Sequence, residues 1–177
     1  KGLLDQGKAV PRGRRGGRSK DKAPAKSKAQ QTRVVQELAG AKVLIVDDDI
    51  RNIYSLTSVL EAHDVEVLHA ERGKEGIEIL ERSGSIDAAL IDIMMPDMDG
   101  YETMQQIRRR PKLANIPLVA VTAKAMKGDR QKCLDAGASD YIAKPVDIDL
   151  LLALLRVWIA RSQDAARNPA PVVEAAE

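Results

Sequence analysis

Phenylalanine is absent from this chain, and aromatic residues of every kind amount to 2% of it. A core must therefore be built from Leu, Ile, Val, Ala and Met, and the 44% apolar content is enough for one domain of ordinary size plus tails. The single cysteine, Cys133, excludes a disulfide framework and any Cys-rich zinc site. With only His63 and His69 as imidazoles, most His-ligated metal centres are excluded as well. No apolar run approaches the roughly 18 residues that a membrane span requires. The chain opens on Lys1, and no charged-then-apolar leader pattern follows. The expectation is a soluble, cytoplasmic piece excised from a longer polypeptide.

A formal net charge of +2 conceals a strong asymmetry along the 177 residues. Residues 1–39 carry 11 Lys/Arg against 3 Asp/Glu, residues 40–161 carry 16 against 20, and residues 162–177 carry 1 against 3. Between Pro11 and Arg33 few large apolar side chains occur, so burial there cannot offset the entropy of ordering. Residues 1–39 thus read as a basic linker and 162–177 as a flexible tail. Arg/Gly-rich arms can track nucleic-acid phosphates, but this one has no aromatic residue to stack on bases, so nucleic acid is not the expected partner.

Between the tails a regular rhythm appears. Short β-branched, apolar runs occur at Val43–Val46, Val65–Leu68, Ala88–Ile91 and Leu118–Val121, with a weaker one at Tyr141–Ala143. Helical spacing separates them: Ile53, Leu56 and Leu60 share one face, as do Ile77 and Leu80, and Met104 and Ile107. A fourth helix is expected over Ala125–Ala136. Asp147 is placed to cap a fifth that runs to about Ala160. Five strands alternating with five helices predict a doubly wound α/β fold, with a parallel five-stranded sheet covered on both faces. Ligands of such sheets bind beyond the carboxyl ends of the strands, near a switch in strand order.

The informative polar residues lie where that rule places a site. Asp47, Asp48 and Asp49 follow the first strand, Asp92 and Thr122 end the third and fourth, and Lys144 follows the fifth. Clustered carboxylates raise one another's pKa unless a cation lies among them. Hard oxygen donors in this number suit Mg²⁺, which keeps several waters and takes few protein ligands. A Ser or Thr nucleophile would need a base, whereas an aspartate, with an ordinary pKa of about 3.9, is already ionised at pH 7. Such a carboxylate can attack phosphorus if a cation offsets the repulsion of two anions. A Lys and a Thr hydroxyl can then hold the phosphoryl oxygens.

The segments Val46-Asp47-Asp48-Asp49, Asp92-Ile93-Met94-Met95-Pro96-Asp97-Met98-Asp99-Gly100, Val121-Thr122-Ala123 and Tyr141-Ile142-Ala143-Lys144-Pro145 resemble the receiver domain of two-component response regulators, in order and spacing. The resemblance covers about residues 40–161 and implies a flavodoxin-like (βα)5 fold. It implies Asp92 as phosphoacceptor, becoming a 4-aspartylphosphate. Asp48 and Asp92 side chains and the Met94 carbonyl would bind Mg²⁺, with Mn²⁺ as a substitute, and Asp47 would act through a metal-bound water. Thr122 and Lys144 would contact the phosphoryl group, and Tyr141 would move as Thr122 is drawn inward. The Lys144–Pro145 bond is where the family carries a cis peptide. Met94 and Lys124 occupy variable positions that tune hydrolysis. The implied partner is a histidine kinase or histidine phosphotransfer domain. The run Asp48-Asp49-Ile50-Arg51-Asn52-Ile53-Tyr54 favours the C-terminal receiver of a hybrid sensor histidine kinase, which could tether the domain to a membrane, over a single-domain regulator.

Two other readings use the same residues. In a haloacid-dehalogenase-type phosphatase Asp47 would be the nucleophile with Asp49 as second acid, although Arg51 stands where Thr or Val is usual. A degenerate receiver would act only as a binding module. Asp49 lies outside the metal set because it can simply start a helix. Met94, Met95 and Met98 read as loop packing, and His63, His69 and Cys133 as structural. In the last helix, Leu150, Leu154, Val157 and Trp158 widen the apolar arc to roughly 220°, against about 100° for one-sided burial. Either Leu154 and Trp158 meet another protein, or neighbouring segments cover them.

Overall fold

A computed structural model describes residues 38–123 and 128–167. Five strands run Lys42–Val46 (β1), Glu66–Ala70 (β2), Ala88–Asp92 (β3), Leu118–Thr122 (β4) and Asp140–Ala143 (β5). All pairings are parallel, in the order β2-β1-β3-β4-β5. The helices are Ile50–Glu61 (α1), Gly73–Arg82 (α2), Gly100–Arg108 (α3), Asp129–Asp135 (α4) and Ile148–Arg167 (α5), with a 3-10 turn at Pro111–Leu113. Every residue of β3 and β4 is buried, as expected for inner strands covered on both faces.

Pleat alternation divides the core in two. Leu44, Val46, Ala89, Ile91, Leu118 and Ala120 face Ile77, Leu80, Met104, Ile107 and Cys133 of α2, α3 and α4. Val43, Ile45, Leu90, Val119 and Val121 face Ile53, Leu56 and Leu60 of α1 and Leu151, Leu155 and Ile159 of α5. Aspartates start three helices: Asp49 accepts from the Arg51 amide at 3.0 Å, Asp99 from Glu102 at 2.8 Å and Asp147 from Leu150 at 3.0 Å.

Several boundaries differ from the sequence reading. Leu38, assigned above to the linker, is fully buried against the α1–α5 layer, so the folded unit includes it. The remainder of the expected linker lies outside the described residues. Helix α5 continues to Arg167, past the expected end near Ala160, so residues 162–167 are helix rather than tail. Helix α4 starts at Asp129 because Gly128, inside the expected span, has a φ of 114° that no α-helix accommodates. Residues 124–127, including Lys124, lie outside the described set.

On α5 the strongly exposed apolar residues are Leu150 and Val157, whereas Leu154 and Trp158 are half-buried. Trp158 donates from Nε1 to Asp140 at 3.3 Å, and the Arg161 guanidinium lies 5.1 Å from its ring centre. A role that pattern reading missed belongs to Arg108. Its guanidinium donates to the carbonyls of Gly137 (2.8 Å), Ala114 (3.0 Å) and Ile116 (2.7 Å), tying the α3–β4 and α4–β5 loops together. Burial lowers its pKa.

Gly100 positions the third strand's end. A β-carbon there would collide with the Asp92 carbonyl and lie 2.7 Å from Ile93 Cα, both backbone groups that cannot turn aside. Gly100→Ala is therefore expected to destabilise the domain by about 1–3 kcal/mol, read as a lower denaturant midpoint at unchanged slope.

Candidate functional site

The site forms at the carboxyl ends of β1 and β3, adjacent strands where the order reverses from β2-β1 to β3-β4-β5. Val46 pairs with Ile91, so Asp47 and Asp92, each one residue further on, emerge side by side. Both are buried, at 2% and 4% exposure, whereas Asp48 is exposed. Oxygens of Asp47, Asp48 and Asp92 lie within 4.8 Å of one another. Lys144 reaches across from β5: its Nζ is 2.9 Å from Asp47 Oδ2 and 2.9 Å from Asp92 Oδ2. The Lys144–Pro145 bond is cis, as expected. The Lys144 amide donates to the Thr122 carbonyl at 2.7 Å, which ties the ends of β4 and β5 beside the site.

Electrostatics distinguish the acids. Burial pushes the Asp92 carboxyl up from its ordinary value, with Asp47 adding to the rise; the Lys144 ammonium and the Met94 amide partly oppose it. Burial pulls Lys144 down, but its hydrogen bonds to Asp92 and Asp47 leave it raised overall, so it stays charged. Asp49 is held at about 2 by hydrogen bonds from the Arg51 side chain and amide. That pairing engages the Asp49 carboxylate as the cap of α1, and it is not one of the three clustered acids.

The expected residues mostly converge. Asp47, Asp48, Asp92 and Lys144 meet directly. Met94 donates its amide to Asp92 Oδ1 at 3.3 Å, but its side chain is 59% exposed rather than packed. Met95 is buried and Met98 packs against the core, as read. Thr122 is buried at the end of β4. Tyr141 pairs with Ala120, so the pleat puts Tyr141 and Thr122 on the same face of the sheet, and Tyr141 is half-buried against the α2–α4 layer. His63 donates from Nδ1 to the Val59 carbonyl at 2.9 Å, a structural bond away from the acids. Asn52, passed over in the sequence, sits one helical turn into the rim, with its amide nitrogen 3.1 Å from each Asp47 oxygen. Its place five residues after Asp47, in the first turn of α1, was the available signal.

The donor set fits a hard divalent cation: three carboxylates, two of them buried, and no soft ligand among the convergent groups. Asp47, the nucleophile of the phosphatase reading, already accepts from the Asp49 amide, Asn52 and Lys144.

Comparison with known proteins gives a consistent result. The family described as the response regulator receiver domain matches residues 43–156. Protein PilH of Pseudomonas aeruginosa is 38% identical over 120 residues, which are 68% of this chain and 98% of PilH. Longer curated relatives are matched over only 6–30% of their own length. Among solved structures, the receiver domain of the sensor histidine kinase PA1611 from P. aeruginosa, with a magnesium ion coordinated in its active-site cleft, superposes with a TM-score of 0.64 at 34% identity, covering 69% of this chain and 99% of that one. The receiver domain of Ssk1 from Saccharomyces cerevisiae, crystallised with the histidine phosphotransfer protein Ypd1, belongs to a match with a TM-score of 0.65 and 28% identity, covering 70% and 91%.

The raised carboxyl of Asp92 has a measurable consequence. Its folded pKa lies above the unfolded value near 3.8, so its favourable contribution is complete below that value and is lost as pH rises through the folded pKa. Asp92→Asn removes this loss and leaves Lys144 paired with Asp47. Without divalent cations at pH 7, the variant's Tm is expected to exceed wild type, and the gap to shrink as pH falls toward 4. Calorimetry at the two pH values checks both statements.

Proposed function

This chain belongs to the response regulator receiver family of two-component signalling, and we propose that within it Asp92 accepts a phosphoryl group from a partner's phosphohistidine. The carrying observation is the buried Asp92 carboxylate bridged to Asp47 by one Lys144 ammonium, at the sheet edge where a ligand can reach it. In the transfer an Asp92 oxygen forms the new P–O bond, the P–N bond breaks, and the imidazole nitrogen leaves with the electron pair. Mg²⁺ would be held by Asp48, Asp92 and the Met94 carbonyl, with Asp47 acting through water. When bound it supplies positive charge that offsets the repulsion between carboxylate and phosphoryl oxygens. Mn²⁺ offers the same hard-oxygen chemistry.

Lys144 is already ionised and within reach of Asp92, so it can follow charge onto the phosphoryl oxygens without a proton transfer. In doing so it gives up part of its pairing with Asp47, which couples the reaction to the end of β5. Thr122 contacts the phosphoryl group from the end of β4, and Tyr141 on the same face follows its movement. That pair is the two-state element that the acyl phosphate would bias.

The phosphate donor is a histidine kinase or a histidine phosphotransfer domain. Support for its docking place comes from Ile50 and Tyr54 on α1, 55% and 75% exposed, beside a groove of about 280 Å³ between α1 and the β5–α5 loop. Leu150, Leu154 and Val157, at i, i+4 and i+7 along α5, with Trp158 adjoining them, form the face for a second protein contact. The folded unit is a receiver (residues 38–167 as described), placed in the cytoplasm as part of a hybrid sensor kinase.

Incubating the full chain with Mg²⁺ and acetyl phosphate, followed by intact-mass measurement and peptide mapping, tests the assignment. One added phosphoryl group on the Asp92 peptide, absent in Asp92→Asn and without Mg²⁺, is the expected result. An adduct on Asp47 with turnover would establish the phosphatase reading instead, and no adduct a binding module.

A further inference from the structure

The three acids of the site differ in how many acceptor positions remain open. A carboxylate offers about four. Asp48 makes no side-chain hydrogen bond or ion pair among the described residues and is exposed, so its positions are open to solvent or a cation. Asp92 accepts two contacts, from the Met94 amide and from Lys144. Asp47 accepts four: Oδ1 from the Asp49 amide at 2.9 Å and from Asn52 at 3.1 Å, Oδ2 from Asn52 at 3.1 Å and from Lys144 at 2.9 Å. Asn52 supplies half of them with a single amide nitrogen that straddles both oxygens.

We infer that Asn52 is a positioning residue that withholds Asp47 from direct contact with the cation and thereby selects Mg²⁺ over larger ions. With Asn52 straddling both oxygens and the Asp49 amide on Oδ1, only the position that Lys144 holds can pass to a metal-bound water, and Asp48 and Asp92 remain as the direct carboxylate ligands. A site with few direct protein ligands suits Mg²⁺, which holds its waters in a strict octahedron. A third direct carboxylate suits Ca²⁺, which takes six to eight oxygens in flexible geometry. Removing the Asn52 amide opens a position on each Asp47 oxygen and lets the carboxylate turn toward the cation. The inference rests on the receiver reading and adds the origin of its metal preference.

Asn52 is half-buried in the first turn of α1, so Asn52→Ala leaves the core intact and places a better helix former there. Asn52→Ser, which retains one short donor that cannot span both oxygens, serves as the second variant. Titration of the full chain with Mg²⁺ and separately with Ca²⁺ by calorimetry, for wild type and both variants, reads the effect without any turnover. Outer-shell partners change metal affinity by about 10–100-fold. The ratio of Ca²⁺ to Mg²⁺ affinity is expected to rise by about tenfold in Asn52→Ala and to move the same way in Asn52→Ser, with a lower Tm in metal-free buffer because buried Asp47 loses donors. A ratio within about threefold of wild type in both variants overturns the role of Asn52 while the receiver reading stands. Failure of the wild-type chain to bind Mg²⁺ overturns both.

Discussion

Asp47 and Asp92 carry negative charge at the ends of two hydrogen-bonded strands, almost fully out of solvent, and the Lys144 ammonium lies 2.9 Å from an oxygen of each. Two like charges within 4.8 Å repel by on the order of 3 kcal/mol at an effective dielectric near 20. A parallel sheet with apolar residues on both faces offers few ways to relieve that repulsion. One is a cation brought in from the end of β5, beyond β4, where Lys144 stands. Much of the local structure serves this arrangement. Gly100 lets α3 start against the Asp92 backbone, Asp49 caps α1, and the Lys144 amide bonds to Thr122.

The same constraint bears on the proposed chemistry. A carboxylate that is buried yet paired is a poor resting place for charge, and its raised pKa expresses that cost. Moving charge from Asp92 onto a phosphoryl group relieves it, provided that the compensating cations are already in place. The ammonium and the hard-oxygen donors are positioned before any reaction, so little reorganisation is required. Under the proposed function, the displaced share of Lys144 pairing would give the fold a way to register the transfer.

Which strand end carries each site residue is legible in the sequence. The β-branched runs locate β1, β3 and β4 within a residue because inner parallel strands are apolar on both faces and leave an unbroken signal. Asp47, Asp92, Thr122 and Lys144 were visible because each directly follows such a run. Less was legible where local sequence is ambiguous. Leu38 is one apolar residue beside a polar stretch, and only the α1–α5 layer reveals its burial. The extension of α5 past Ala160 lies in residues with little amphipathic pattern. Asn52 and Arg108 act through contacts with Asp47 and with three loop carbonyls, and no composition or period encodes those partners. Met94 does not pack within its loop as Met95 and Met98 do, because it stands beside the site where the loop meets solvent.

A single cation makes the buried carboxylate pair tenable, and Lys144 fills this role until a metal ion shares it. Thermal unfolding of Lys144→Met at pH 7, with and without saturating Mg²⁺, tests it most directly. The expected Tm lies several degrees below wild type in metal-free buffer, because a buried pair loses its partner, with a clearly smaller gap when Mg²⁺ is present. Equal Tm values for the two proteins in metal-free buffer would contradict it.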